Sequence, residues 1–370
     1  FKLERYFAQY EFTTGHLLCA SDVQGYRLPE LLALADEEGR RLWDELPLGY
    51  TESSGHPLLR QAIAGLYEHV EAEDILVCSG AEEAVFLTLQ ALLGPTDHAI
   101  VTWPAYQSLR DVARVTGATV DLLPLNPSEG WLPDVAALEQ LVRPNTRLIV
   151  VNLPHNPTGM LPGLSRFEQI VQVAERAGAY LLSDEVYRCL EYDPVDRLPA
   201  GVDAALSGIS LGVMSKAFGL AGLRIGWVAC RDREVVRRIA SLKDYTTICS
   251  SAPSEVLALI ALRAREQVLA RGLGIIRENL QALDPFFRRW SSQLEWVRPA
   301  AGAVGFPRFL GSTDIGWLAA RLREEAGVLI LPGEVFDFPG AHFRLGFGRT
   351  DFSNGLDRLD RALTSILGAP

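Results

Sequence analysis

Between residues 75 and 230 the sequence alternates short β-rich runs with stretches of helical period, and that alternation commits the chain to an α/β layer fold. Ile75–Cys78, Ala99–Thr102, Thr119–Leu123, Leu148–Asn152 and Tyr180–Ser183 read as strands, with two more near Ser210–Val213 and Arg224–Cys230. Between them Ala84–Leu93, Ser108–Thr116, Val135–Val142 and Phe167–Ala177 repeat with helical period. Most of the strand runs are continuously apolar, the pattern of mostly parallel strands covered on both faces. The expectation is a three-layer αβα large domain over residues 46–278, built on a mostly parallel seven-stranded sheet.

After about residue 280 the pattern changes. Helix-like Asn279–Arg289 and Gly316–Glu325 are interspersed with short strands near Leu294–Val297, Ala303–Pro307, Val328–Leu331 and His342–Phe347, and Asn354–Leu367 reads as a last helix. This predicts a smaller α+β domain of residues 1–45 and 279–370, with the N-terminal segment packed on it.

Composition narrows the partners. A net charge of −11 leaves no basic excess to neutralise nucleic-acid phosphates. The most basic stretch, Arg231, Arg233, Arg237 and Arg238, is interleaved with Asp232 and Glu234 and reads as a solvated face of mixed sign. No apolar run is long enough to span a membrane, and no signal-peptide pattern is visible. Five scattered cysteines without a CxxC pair suit a reducing cytoplasm, and the six histidines lack metal-ligand spacing.

Five segments carry candidate chemistry. In Gly212-Val-Met-Ser-Lys216 the lysine follows an apolar run and sits among small residues. Shielding from water disfavours its ammonium form, which suits an imine-forming amine, while Ser215 and Arg224 offer a hydroxyl and a fixed cation nearby. The alternative is a glycine-rich turn between strands. Asp184 ends a strand, where ligand sites form in parallel sheets, and is placed to pair with a protonated ring nitrogen; a helix N-cap is the other reading. Asn152-Leu-Pro-His-Asn156-Pro-Thr-Gly159 is either a rigid loop presenting the Asn156 amide or an ordinary turn. Ser79-Gly80-Ala81-Glu82 opens a helix after a strand and can bind an anion through backbone N–H groups. Arg344, within an apolar strand, has the planar fork that grips a carboxylate, or else forms a structural ion pair.

In this order, from Leu48-Gly-Tyr50 through Asn-Pro-Thr-Gly, Ser-Asp-Glu-Val-Tyr and Ser-Lys to Arg344, the segments resemble those of fold-type I pyridoxal 5′-phosphate (PLP) enzymes of the class I/II aminotransferase family. The resemblance implies an aspartate aminotransferase-like fold and a reaction between an amino acid and a 2-oxo acid. It implies that Lys216 carries the cofactor as a Schiff base and moves the proton. Asp184 would pair with the ring nitrogen, Asn156 and Tyr187 with the phenolic oxygen, and Tyr106 would stack on the ring. Gly80, Ala81, Ser215 and Arg224 would hold the phosphate, Arg344 the substrate carboxylate. Tyr50 would reach the phosphate of a neighbouring subunit, implying a homodimer with shared active sites.

Three departures from the family pattern stand out. Val213 replaces a hydroxyl residue, Glu82 puts an acid beside the phosphate turn, and Ala20-Ser-Asp-Val-Gln-Gly25 lacks the usual Gly-x-Pro-Asp. Glu4-Arg-Tyr-Phe-Ala-Gln-Tyr-Glu11 also resembles the start of capreomycidine-synthase-like enzymes and PLP-dependent arginine oxidases. That second resemblance implies a cyclase, lyase or oxidase acting on an arginine-like amino acid, with Glu11, and Asp22 beside it, reading a basic side chain. The other reading of Glu11 is an exposed acid on an amphipathic helix.

Overall fold

The computed structural model describes residues 1–368. Seven strands form one sheet: β1 (Ile75–Cys78), β2 (His98–Trp103), β3 (Thr119–Pro124), β4 (Thr146–Asn152), β5 (Tyr180–Asp184), β6 (Gly208–Val213) and β7 (Gly226–Cys230). Their order across the sheet is β1-β7-β6-β5-β4-β2-β3. Only β7 runs against its neighbours. The link from β6 to β7 holds no crossover helix, only the short turn Ala221–Leu223, so the chain folds straight back.

The apolar runs explain the layering. Every residue of β1, β6 and β7 is buried. Alternate residues face opposite sides. Leu148 and Val150 of β4 pack in one layer with Leu89 of the helix Gly80–Leu92, while Ile149 and Val151 pack in the other with Phe167 and Ile170 of the helix Leu164–Ala177. The basic stretch lies on the helix Arg233–Lys243, where Arg233 pairs with Glu71 at 2.9 Å and Arg237 with Glu234 at 2.6 Å.

The expected boundary at 278/279 falls inside a continuous helix, Arg265–Arg289, which joins the sheet domain to the C-terminal part without a linker. Beyond it, the short strands Val304–Gly305, Leu331–Pro332 and Phe343–Gly346 form a three-stranded sheet. The N-terminal segment packs on this part. His16–Leu17 pairs in parallel with Val328–Leu329, and the Tyr6 hydroxyl of the helix Lys2–Tyr10 donates to the Ile330 carbonyl at 2.9 Å. Residues 18–24 then cross Phe343–Gly346 closely: the Gly346 N–H donates to Leu18 O at 2.8 Å, and a Cβ at Gly346 would lie 1.7 Å from Ala20 O. No helix of the described residues is long and apolar enough to cross a membrane.

Candidate active site

The C-terminal ends of β4, β5 and β6 converge on a cavity of about 450 Å³. Asp184, Asn156, Tyr187, Lys216, Arg344 and Glu11 all line it. Parallel strands whose ends coincide bring together side chains that are distant in sequence, which is why these residues meet here.

Lys216 follows β6 by three residues, and its Nζ donates to Ser21 Oγ at 2.9 Å. Burial pushes its ammonium below the usual lysine range; Asp22 and Asp184 oppose that shift, and the Arg344 charge adds to it. Asp184 is buried at the end of β5, and no helix follows it. Its Oδ1 accepts from Val186 N at 3.3 Å, so it closes a turn rather than capping a helix. Burial lifts its carboxyl to about 7, with Glu185 adding repulsion, while the Val186 N–H and Lys216 pull the other way.

Asn156 is fixed from both sides. Its backbone N–H donates to Asn152 Oδ1 at 2.7 Å, Asn152 Nδ2 donates to Asp184 O at 2.9 Å, and its own Oδ1 accepts from Arg344 Nη1 at 3.2 Å. Arg344 is 1% exposed, and its Nε and Nη2 donate to the Cys19 carbonyl at 3.2 and 2.8 Å. Among the described residues it has no carboxylate partner, so the structural ion pair is absent and its charge stands over the cavity. Leaving a buried guanidinium without an anion is expensive unless a ligand supplies one.

Three features fit these residues to PLP. The Tyr187 hydroxyl is buried and has no hydrogen-bond partner, an orphan that a ring oxygen would satisfy. The Asp184 carboxyl is buried and unpaired with any cation within salt-bridge distance among the described residues, ready for a protonated ring nitrogen. The third is the turn at the head of the helix Gly80–Leu92. Gly80 has φ +82°, and a Cβ there would lie 2.5 Å from Arg224 Nη2, so the guanidinium occupies the space that only glycine leaves. Arg224, itself left-handed at φ 52°, donates from Nη1 to Ser215 Oγ at 3.3 Å. Backbone N–H groups, a hydroxyl and a cation thus converge at one helix N-terminus, a setting for a phosphate dianion.

The departures also find places. Val213 and Glu82 both line the cavity. Burial raises the Glu82 carboxyl above the usual range, and the Arg224 charge opposes this. Tyr106 lines the same space, and its hydroxyl donates to Glu4 Oε1 at 3.2 Å. Glu11 ends the N-terminal helix facing the cavity; burial and the neighbouring Asp22 and Glu4 charges raise its carboxyl. Asp22 is already engaged by Arg349 at 3.0 Å, whereas Glu11 has no ion-pair partner among the described residues.

Tyr50 is not part of this cavity; it is 93% exposed beside a separate hollow of about 610 Å³. Sequence reasoning missed Ser21, Glu4 and Arg349, all in the cavity wall. The only signal for Ser21 was that Ala20–Gly25 departs from the family's usual sequence.

Proteins of known family resemble this chain in sequence and fold. Capreomycidine synthase of Streptomyces vinaceus is 31% identical over 366 residues, covering 98% of this chain and 93% of that protein. The crystal structure of a PLP-dependent aminotransferase from Streptococcus suis 89-1591 superposes with a TM-score of 0.93 at 32% identity, covering 99% of this chain and 97% of the other. The PLP-dependent cyclase OrfR superposes with a TM-score of 0.90 at 29% identity, covering 98% of this chain and 96% of the other. The family model for aminotransferase class I and II matches residues 18–359, and the chain belongs to that family of PLP-dependent enzymes.

Proposed function

We propose that the chain transfers an amino group between an amino acid and a 2-oxo acid, with Lys216 as the attachment and proton-transfer residue. The observation that carries this reading is the Lys216 amine in one cavity with the unpaired Arg344 guanidinium. Bound PLP supplies an electron sink that makes the bonds at a substrate's α-carbon labile. Arg344 grips the α-carboxylate through the face of its fork left open by Cys19 and Asn156. Lys216 Nζ, its basicity lowered by burial, takes and returns the proton at the α-carbon. Asp184 holds a proton on the ring nitrogen, and Asn156 and Tyr187 donate to the ring oxygen. Gly80, Ala81, Ser215 and Arg224 would bind the phosphate, with Glu82 beside them, and Tyr106 would cover the ring. The test is a panel of amino acids added to the holoenzyme: pyridoxamine phosphate accumulates with the true donor. If no amino acid produces it, the transaminase reading fails.

A second reading, cyclase, lyase or oxidase chemistry on an arginine-like amino acid, is supported by Glu11, an unpaired carboxylate in the cavity wall, and by the likeness to capreomycidine synthase and OrfR. Glu11, with Asp22 beside it, would face a guanidinium. Glu11→Gln should then lower kcat/KM for arginine relative to a neutral amino acid by about 10-fold, the worth of one charge-assisted hydrogen bond. An unchanged ratio would remove Glu11 from substrate recognition.

We also propose a homodimer. Leu48 (85% exposed), Tyr50 and Tyr245 (90%) are large exposed side chains on two segments that are tied together. Thr51 Oγ1 donates to Ser250 O at 3.0 Å, and the buried Lys243 amine donates to Ser53 O at 2.9 Å and Ile248 O at 3.0 Å. Tyr50, exposed on this loop, would reach a second copy's phosphate. All five cysteines are free, which supports a reducing compartment such as the cytoplasm.

A further inference from the structure

We infer that Ser21 is a positioning residue for the Lys216 amine: its hydroxyl is the dock that orients Nζ whenever the amine is not bonded to the cofactor. The Nζ–Oγ hydrogen bond is 2.9 Å long and joins residues 195 apart in the chain. An amine on a four-carbon stem rotates freely, and its lone pair reacts only when aimed. One N–H donated to a fixed acceptor removes most of that freedom.

The acceptor is fixed by backbone on both sides. Leu18 O accepts from Gly346 N at 2.8 Å, and Cys19 O accepts two bonds from Arg344. Gln24 N donates to Gly348 O at 2.8 Å, and Val23 N reaches Lys216 O at 3.5 Å. The segment bearing Ser21 is thereby tied to the backbone of the residue it serves. A Cβ at Gly348 would lie 2.3 Å from Asp22 O, so the chain just beyond the strand Phe343–Gly346 leaves room for this approach. Ser21 also stands beside the buried, unpartnered Tyr187 hydroxyl, which leaves its own proton a direction to donate.

This rests on Lys216 being the attachment lysine, and the experiment separates the two claims. Apoenzyme is mixed with PLP, and capture is followed by absorbance as the amine nitrogen bonds to the aldehyde carbon and one water leaves. Borohydride reduction and peptide mass then locate the adduct. Affinity for pyridoxamine phosphate, which cannot form that bond, is measured in parallel. Ser21→Ala should slow capture about 10-fold while leaving pyridoxamine phosphate affinity within about two-fold, and Ser21→Thr should restore the rate, since it keeps the hydroxyl. Capture by Ser21→Ala at the wild-type rate overturns the inference. If Ser21→Ala does not fold, Ser21→Thr is compared with the near-isosteric Ser21→Val, and equal capture rates overturn it instead. An adduct on a lysine other than 216 in the wild type would defeat the Lys216 assignment, and the inference with it.

Discussion

Arg344 donates to Asn156 across 3.2 Å, so the guanidinium facing the cavity and the amide beside it form one hydrogen-bonded unit joining residues 188 apart in the chain. Removing the arginine strips two bonds from Cys19 O and one from Asn156. We expect Arg344→Ala to lower kcat/KM by about 10²–10³-fold, in line with loss of a buried charged partner. Arg344→Lys should recover little of it, because an ammonium cannot reproduce the fork. Steady-state kinetics with the best donor checks both.

Lys216→Ala should abolish the adduct seen after borohydride reduction, and turnover should fall by about 10²–10⁴-fold, the usual worth of a general acid–base group. Intact-protein mass and turnover assays report the two losses separately.

Gly80→Ala should weaken PLP more than pyridoxal. The added methyl would press on Arg224 at the phosphate turn in a left-handed backbone position, so about 10-fold of phosphate-dependent affinity is expected to go, the worth of about one charge-assisted bond. The ratio of the two dissociation constants is the measurement. Equal losses would mean the turn does not hold the phosphate.

Asp184 makes the apoenzyme pH-sensitive. Its carboxyl is raised to about 7 in the folded protein from an ordinary 3.8, so the folded state keeps a proton that the unfolded chain releases. The stabilisation is complete below the unfolded value and is lost as pH rises toward 7. Burial lowers the His155 and His342 imidazoles to about 4, which opposes this over the same range. Urea denaturation is therefore compared between wild-type and Asp184→Asn apoenzyme, and the stability difference between them should shrink as pH rises from 4 to 7. Glu255, also raised to about 7, acts in the same direction as Asp184 in both proteins and so cancels in the difference.

Tyr50→Phe should weaken PLP by about 10-fold, one hydrogen bond to a charged group, and only at the neighbour's site. Hybrids of a Tyr50→Phe chain with a Lys216→Ala chain would pair the sole functional lysine with the partner's intact tyrosine, so PLP should bind at that site as tightly as in the wild type. A sedimenting monomer would exclude the arrangement.

The large-domain strands were legible because buried parallel strands are written as unbroken apolar runs, and Asp184, Asn156 and Lys216 were legible because each follows such a run. Arg344 could be picked out as a cation in an apolar strand, but its anchor could not: Cys19 O is a backbone atom, and no sequence position advertises a carbonyl. Ser21 was hidden for a related reason, since its partner lies 195 residues away and its segment matches no motif. The expected boundary at 278/279 falls inside the helix Arg265–Arg289, of which only Asn279–Arg289 reads as helical in the sequence.

The lip of the cavity is held by main chain. Residues 18–24 are tied down through the carbonyls of Leu18 and Cys19 and the N–H groups of Val23 and Gln24, and their close seat depends on Gly346, at the end of the strand Phe343–Gly346, and on Gly348 just beyond it. Mutation can rewrite the side chains at 20 and 23 without unfastening the segment, whereas Ser21, which holds the Lys216 amine, and the two glycines have little latitude. The same scaffold can therefore drift from one substrate to another along this short stretch, and divergence between relatives should collect there while its underlying clasp stays unchanged.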